Sequence, residues 1–158
     1  MSELNILKVD EQEIIKIAYF MGEHALGKEI VLLEGDLGAG KTVFAKAFAK
    51  GFGISEHITS PTFTIINHYP SLKNDFVHID LYRIEDPEEV DYLGVDEYYE
   101  NTLMAIEWPE RLAAMPEHFL KVVITVYDMQ HRSITFFAKG IAEEILLKEM
   151  ETFVYPCS

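Results

Sequence analysis

Gly35-Asp36-Leu37-Gly38-Ala39-Gly40-Lys41-Thr42 matches Gly-x-x-x-x-Gly-Lys-Ser/Thr at every fixed position. Glycines at that spacing let a backbone wrap a phosphate without side-chain clashes, and several amides then point inward as an anion nest. A helix beginning at Lys41 adds the positive end of its dipole. Lys41 is placed to reach the terminal phosphates and the Thr42 hydroxyl to ligate Mg2+. Ordinary residue frequencies yield the pattern roughly once in two hundred chains of this length. An apolar segment before it and a helical one after it reduce that chance further. The loop therefore predicts a nucleoside triphosphate bound with Mg2+.

Such a site needs carboxylates beyond the loop, and in open α/β sheets ligands bind past the carboxyl ends of the strands. Asp80 follows the apolar run Phe76-Val77-His78-Ile79, and Glu107 follows Leu103-Met104-Ala105-Ile106. Either acid could hold Mg2+, directly or through water, or orient an attacking water. Thr59-Ser60-Pro61-Thr62 lies in the connection after the loop's helix, where hydroxyls can sense a terminal phosphate; a plain turn is the alternative. Trp108, the single tryptophan, could stack on a base, anchor a partner or fill core. His78, inside a strand, reads as a structural histidine. Asp91-x-x-Gly94 resembles a GTPase element but falls in a predicted helix, and no Asn-Lys-x-Asp motif accompanies it.

The elements that must position these residues alternate helix and strand. Ile14, Ile17, Ala18, Met21 and Ala25 recur at helical steps over Asp10–Leu26, opened by Asp10 and Glu13 at capping-box spacing. Ile30-Val31-Leu32-Leu33 suits a strand covered on both faces. A helix follows over Lys41–Lys50, with Gly51 and Gly53 ending it. Strands are predicted at Thr62–Tyr69, Phe76–Leu81 and Thr102–Glu107, the last broken by Trp108-Pro109. Asp86-Pro87-Glu88-Glu89 starts a further helix. Leu120–Tyr127 and Ser133–Ala138 pair through Asp128–His131, and Ile141–Phe153 closes as a helix. The order predicts one α/β domain over residues 1–158, a P-loop NTPase-like three-layer sandwich. Its central sheet is mainly parallel, with antiparallel edge strands.

The 158 residues carry 27 acidic and 13 basic side chains, a balance of −14. That surface repels phosphate backbones, so general nucleic-acid binding is not expected. A lone cysteine, Cys157, makes no internal disulfide, and no apolar run reaches membrane length. The first ten residues lack the pattern of a secretory signal, so a cytoplasmic location is expected. Only three arginines occur, Arg83, Arg111 and Arg132. Phosphoryl transfer commonly recruits an added cation, so the isolated chain is expected to turn over slowly.

Four motifs in this order and spacing resemble the bacterial TsaE (YjeE) family: Gly35–Thr42, Ser60-Pro61-Thr62-Phe63-Thr64, His78-Ile79-Asp80-Leu81-Tyr82-Arg83 and Ile106-Glu107-Trp108-Pro109-Glu110. The first is generic; the other three in combination are specific. The resemblance implies a P-loop ATPase that supports threonylcarbamoyl modification of the tRNA adenosine beside the anticodon. It implies a TsaB–TsaD pair as partner, with tRNA contacted only through that pair and the isolated chain a monomer. It implies ATP and Mg2+ as ligands, with Lys41, Asp80 and Glu107 in the chemistry, and Thr42, Glu107 and Asp80 near the metal. The nucleotide would meet Asp10, Gly35, Asp36, Leu37, Gly38, Ala39, Gly40, Lys41, Thr42, Ser60, Thr62, Trp108 and Arg132. Two other readings stay open: a small-molecule kinase, though no arginine-rich lid is found, and a nucleotide-gated binding module that does not need turnover.

Overall fold

The computed structural model describes residues 1–59 and 65–156. In chain order the elements are β1 (Ser2–Val9), α1 (Glu11–His24), β2 (Ile30–Glu34), α2 (Lys41–Phe52), β3 (Ile66–Tyr69), β4 (Asp75–Asp80), α3 (Glu88–Leu93), β5 (Thr102–Glu107), β6 (Phe119–Val126), β7 (Arg132–Lys139) and α4 (Ile141–Val154). Short 3-10 turns occupy Val95–Tyr98 and Pro109–Arg111. The strands form one sheet in the order β1-β7-β6-β2-β5-β4-β3. β6, β2, β5 and β4 run parallel, while β3, β7 and β1 pair antiparallel at the edges.

Side-chain alternation along the central strands builds two cores. Val31, Leu33, Phe76, Leu103 and Ala105 face α1, α2 and α4. Ile30, Leu32, Val77, Ile79, Met104 and Ile106 face the other way, onto Val90 and Val95 from α3 and the turn after it. These are the three layers expected, with β2 and β5 near-continuous apolar runs because both of their faces are covered.

Local chemistry sets the boundaries. The Asp10 side chain accepts the Glu13 amide at 2.8 Å and Glu13 returns a bond to the Asp10 amide, a complete capping box. The α1–β2 turn is organised by Glu29, a fully buried carboxylate that accepts the amides of Leu26, Gly27 and Lys28. At α3, Asp86 accepts the Glu88 amide at 3.0 Å, and Gly94 ends the helix in the left-handed region.

Two elements depart from the sequence expectation. β1 was not expected. Its Leu4 and Ile6 alternate inward, but a register shift between Ile6 and Val9, with Lys8 at φ 57°, breaks the two-residue period. The second departure is Gly51, which lies inside α2 rather than ending it; Gly53 is the C-cap.

Gly51 and Gly22 instead let α1 and α2 cross closely. A Cβ on Gly22 would collide with the Phe48 carbonyl oxygen and lie 2.8 Å from the Phe52 nitrogen; one on Gly51 would meet the Tyr19 carbonyl. These are backbone atoms and cannot swing aside. Gly22→Ala gains about 1 kcal/mol of helix propensity but forces the helices apart, at about 3 kcal/mol. The expected outcome is a net loss of about 2 kcal/mol, read as a lower urea midpoint with an unchanged slope.

Candidate functional site

β2 ends at Glu34, and the chain turns at once into the glycine-rich loop and α2. Gly38 and Gly40 adopt φ of 81° and 114°, a region costly for any residue with a Cβ. Nothing stands within 4 Å of a Cβ placed on either, so conformation rather than space requires glycine there. The Ala39 carbonyl accepts Arg132 Nε at 3.1 Å, reaching from β7. That bond turns the Ala39–Gly40 peptide so that its N–H points the opposite way from the guanidinium.

The expected carboxylates arrive from neighbouring strands. Asp80 and Glu107 are register partners at the ends of β4 and β5. Glu107 is buried, and Thr42 Oγ1 donates to its carboxylate, 3.0 Å from Oε1 and 3.3 Å from Oε2. With its hydrogen given to Glu107, the Thr42 oxygen keeps its lone pairs for a cation. Hydroxyl and carboxylate oxygens suit Mg2+, which is held by one or two carboxylates together with phosphate oxygens rather than by an all-protein cage. No group of three or more His, Cys, Asp or Glu side chains suited to a metal occurs among the described residues.

Lys41 is buried, and its Nζ donates to the carbonyls of Gly35 and Asp36. It also lies 3.9 Å from the centroid of the Trp108 ring. Burial lowers the Lys41 pKa from its ordinary value, and the charges of Glu107, Glu110, Asp80 and Asp36 partly counter that. Burial raises the Asp80 carboxyl; the Tyr82 amide opposes the rise and Glu107 adds to it. Trp108 sits at φ 60°, a conformation costing a non-glycine residue about 1–2 kcal/mol. Its ring is packed by Tyr82, centroids 5.0 Å apart, with the Arg111 guanidinium 5.9 Å from its centroid.

Two cavities meet at the loop. One, of about 340 Å³, is lined by Lys41, Thr42, Asp80, Glu107, Tyr82 and Trp108. The other, of about 480 Å³, is lined by Asp10, Ala39, Met129, Gln130 and Arg132. Gly38, Gly40 and Val43 border both. The structure thus gathers Lys41, Thr42, Asp80, Glu107 and Trp108 on one side of the loop and Asp10 and Arg132 on the other. Leu37 projects outward, 74% exposed. Ser60 and Thr62 lie outside the described residues.

Sequence reasoning missed three contributors: Tyr82 and Arg111 around Trp108, and the bond from His78 to Glu107. For His78 the signal was present, a lone polar residue within an apolar strand two positions before the candidate acid.

Known proteins resemble the chain over the same ground. The family model for threonylcarbamoyl adenosine biosynthesis protein TsaE matches residues 8–134. A tRNA threonylcarbamoyladenosine biosynthesis protein TsaE from Bacillus subtilis (strain 168) is 39% identical over 152 residues, 95% of this chain and 95% of that one. Its counterpart from Nostoc sp. is 38% identical over 150 residues, covering 90% and 92% of the two chains. The crystal structure of Bacillus subtilis YdiB aligns with a TM-score of 0.79 at 34% identity, over 97% of each chain. No helix among the described residues is long and apolar enough to cross a membrane.

Proposed function

The chain belongs to the TsaE family, and from that premise we propose that it binds ATP with Mg2+ and hydrolyses it slowly. That cycle would support threonylcarbamoyl modification of the tRNA adenosine beside the anticodon. The family carries the role in tRNA threonylcarbamoyladenosine biosynthesis. The nucleotide chemistry rests above all on the Thr42–Glu107 bond, which links the loop to a strand-end carboxylate.

Each residue then has a defined task. Loop amides and the start of α2 receive the phosphates. Lys41 leaves its carbonyl partners for the terminal phosphate oxygens. Bound Mg2+ supplies positive charge to those oxygens. Thr42 would ligate it, with Glu107 holding the Thr42 hydroxyl and adding carboxylate charge beside the cation. Asp80, made more basic by burial, would orient the attacking water and accept its proton. Arg132 and Asp10 border the cavity that receives the nucleoside, and Trp108 closes the phosphate side. Ser60 and Thr62 belong to the loop assigned to sensing the terminal phosphate.

The engagement of two of the three arginines supports the reading of slow intrinsic turnover. Arg132 is tied to the carbonyls of Ala39, Asp128 and His131, and Arg111 to that of Ile84. A cation supplied in trans typically accelerates such hydrolysis by about 10³–10⁵. The chain's charge of −14 also favours reaching tRNA through proteins. A protein partner is the proposed source of that cation, and the resemblance to the TsaE family implies that it is the TsaB–TsaD pair.

ATP hydrolysis by the purified chain, alone and with that pair, tests this assignment. The expected result is slow turnover alone and a rise of at least about 10-fold with the pair, a conservative fraction of what a cation in trans can supply. A rate indifferent to the pair would remove the partner-gated reading and direct attention to a phosphate acceptor, as in a small-molecule kinase.

A further inference from the structure

β4 buries four consecutive residues, Phe76, Val77, His78 and Ile79, each without exposed surface. Three are apolar. The fourth is a histidine in a slot that a valine or leucine would fill at no polar cost. His78 Nδ1 is buried and has no hydrogen-bond partner among the described residues. An orphaned polar atom in the core is rare and destabilising. The imidazole's other nitrogen, Nε2, lies 2.7 Å from Glu107 Oε2.

Strand parity explains the meeting. Phe76, His78 and Asp80 share the face of β4 turned to α2, and Glu107 shares that face on β5. His78 therefore sits beneath the carboxylate pair, on its core side. Glu107 is only 2% exposed, so its orientation depends on protein bonds alone. Among the described residues it has two such partners: Thr42 Oγ1 on the loop side and His78 Nε2 on the core side. Without the imidazole, the carboxylate would hang from one hydroxyl and could turn away from it.

We propose that His78 is a positioning residue for metal binding: its Nε2–H fixes Glu107 so that the carboxylate faces Thr42 and the Mg2+ position. The inference rests on the nucleotide reading above. The bond places a hydrogen on Nε2, since a carboxylate oxygen accepts. His78 touches neither nucleotide nor metal, and its effect passes through Glu107. Partners that orient metal ligands in this way are typically worth about 10–100-fold in metal affinity.

His78→Leu removes the donor and fills the slot. His78→Gln keeps an N–H at a similar reach. Mn2+ serves as the probe, titrated by EPR of the free ion against each protein loaded with a non-hydrolysable ATP analogue. Nucleotide affinity in EDTA and the melting temperature are measured alongside. The expected result is Mn2+ binding weakened about 10–100-fold in the Leu variant and largely restored in the Gln variant. Nucleotide affinity without metal should stay within about 3-fold, because loop and Lys41 are untouched. The Leu variant sheds the orphaned nitrogen but leaves Glu107 short of a donor, so binding is compared well below each variant's melting temperature. Wild-type Mn2+ affinity in the Leu variant would overturn the clamp. So would equal loss of metal and metal-free nucleotide binding, the mark of a purely structural role. Imidazole 15N spectra of the nucleotide-free protein give a separate readout, with a hydrogen expected on Nε2 of His78 and a bare Nε2 contradicting the proposal. Absence of any metal-dependent nucleotide binding in wild type would overturn the nucleotide reading itself, and the clamp's role with it.

Discussion

Lys41→Ala is expected to lower ATP turnover by at least about 10²–10³-fold while leaving the fold intact, the size of effect seen when one preorganised donor to a developing charge is removed. The loss comes from phosphate chemistry. Backbone amides and the start of α2 still present an anion site, but the only cationic side chain among the described residues lining the cavity of Thr42, Asp80 and Glu107 is gone. Stability behaves differently. Burial lowers the lysine's pKa below its ordinary value. A group with a depressed pKa in the folded state loses stability as pH falls through that value. At neutral pH the wild type therefore already bears the cost of a buried ammonium. The variant loses the bonds to Gly35 and Asp36 and the contact with Trp108, but it is freed of that cost. The two offset, and the change in unfolding free energy should stay within about 1 kcal/mol. Hydrolysis assays with thermal melts at pH 7 check both halves. A parallel fall in melting temperature and rate would make Lys41 a structural residue.

What the sequence disclosed follows from how far apart in the chain each cause lies. β5 was read with its observed limits, Thr102–Glu107, because an apolar run and Trp108-Pro109 are both local signals. The capping box at Asp10 is a three-residue relation and was equally plain. That Asp80 and Glu107 stand at strand ends was visible; that they are register partners was not. Adjacency of β4 and β5 depends on the crossover through α3 and on packing across the sheet. The Arg132–Ala39 bond spans 93 positions and requires β7 to fold beside β6. Resemblance to a family suggested Arg132 there, whereas residue spacing alone could not. β1 escaped notice because its bulge at Leu7-Lys8 destroys alternation after two inward residues. His78 shows the opposite difficulty. Its oddity was visible, but its reason lies in a contact to a residue 29 positions away.

The same carboxylate pair predicts a conflict between stability and activity. Asp80→Asn should reduce hydrolysis by about 10²–10⁴-fold, the usual worth of a positioned proton acceptor, and should stabilise the metal-free protein at neutral pH. The Asp80 carboxyl is pushed above its ordinary value of 3.8, first by burial and further by Glu107 beside it. With a raised pKa in the folded state, its contribution to stability is fully present below 3.8 and is lost as pH rises through the raised value. Asparagine keeps an oxygen for the Tyr82 amide and carries no charge to desolvate. In EDTA, the difference in unfolding free energy between variant and wild type should therefore be small in acid. It should widen in the variant's favour as pH rises, and level off once wild-type Asp80 is fully ionised. Adding Mg2+ with nucleotide should narrow the gap, because the cation compensates the charge that the fold alone does not. Urea unfolding from pH 3.5 to 7.5, with and without metal and nucleotide, measures each part. A gap independent of pH would mean that burial does not strain the carboxylate. A variant hydrolysing at the wild-type rate would take Asp80 out of the proton's path and leave Glu107 as the only acid of the pair with a part in the reaction.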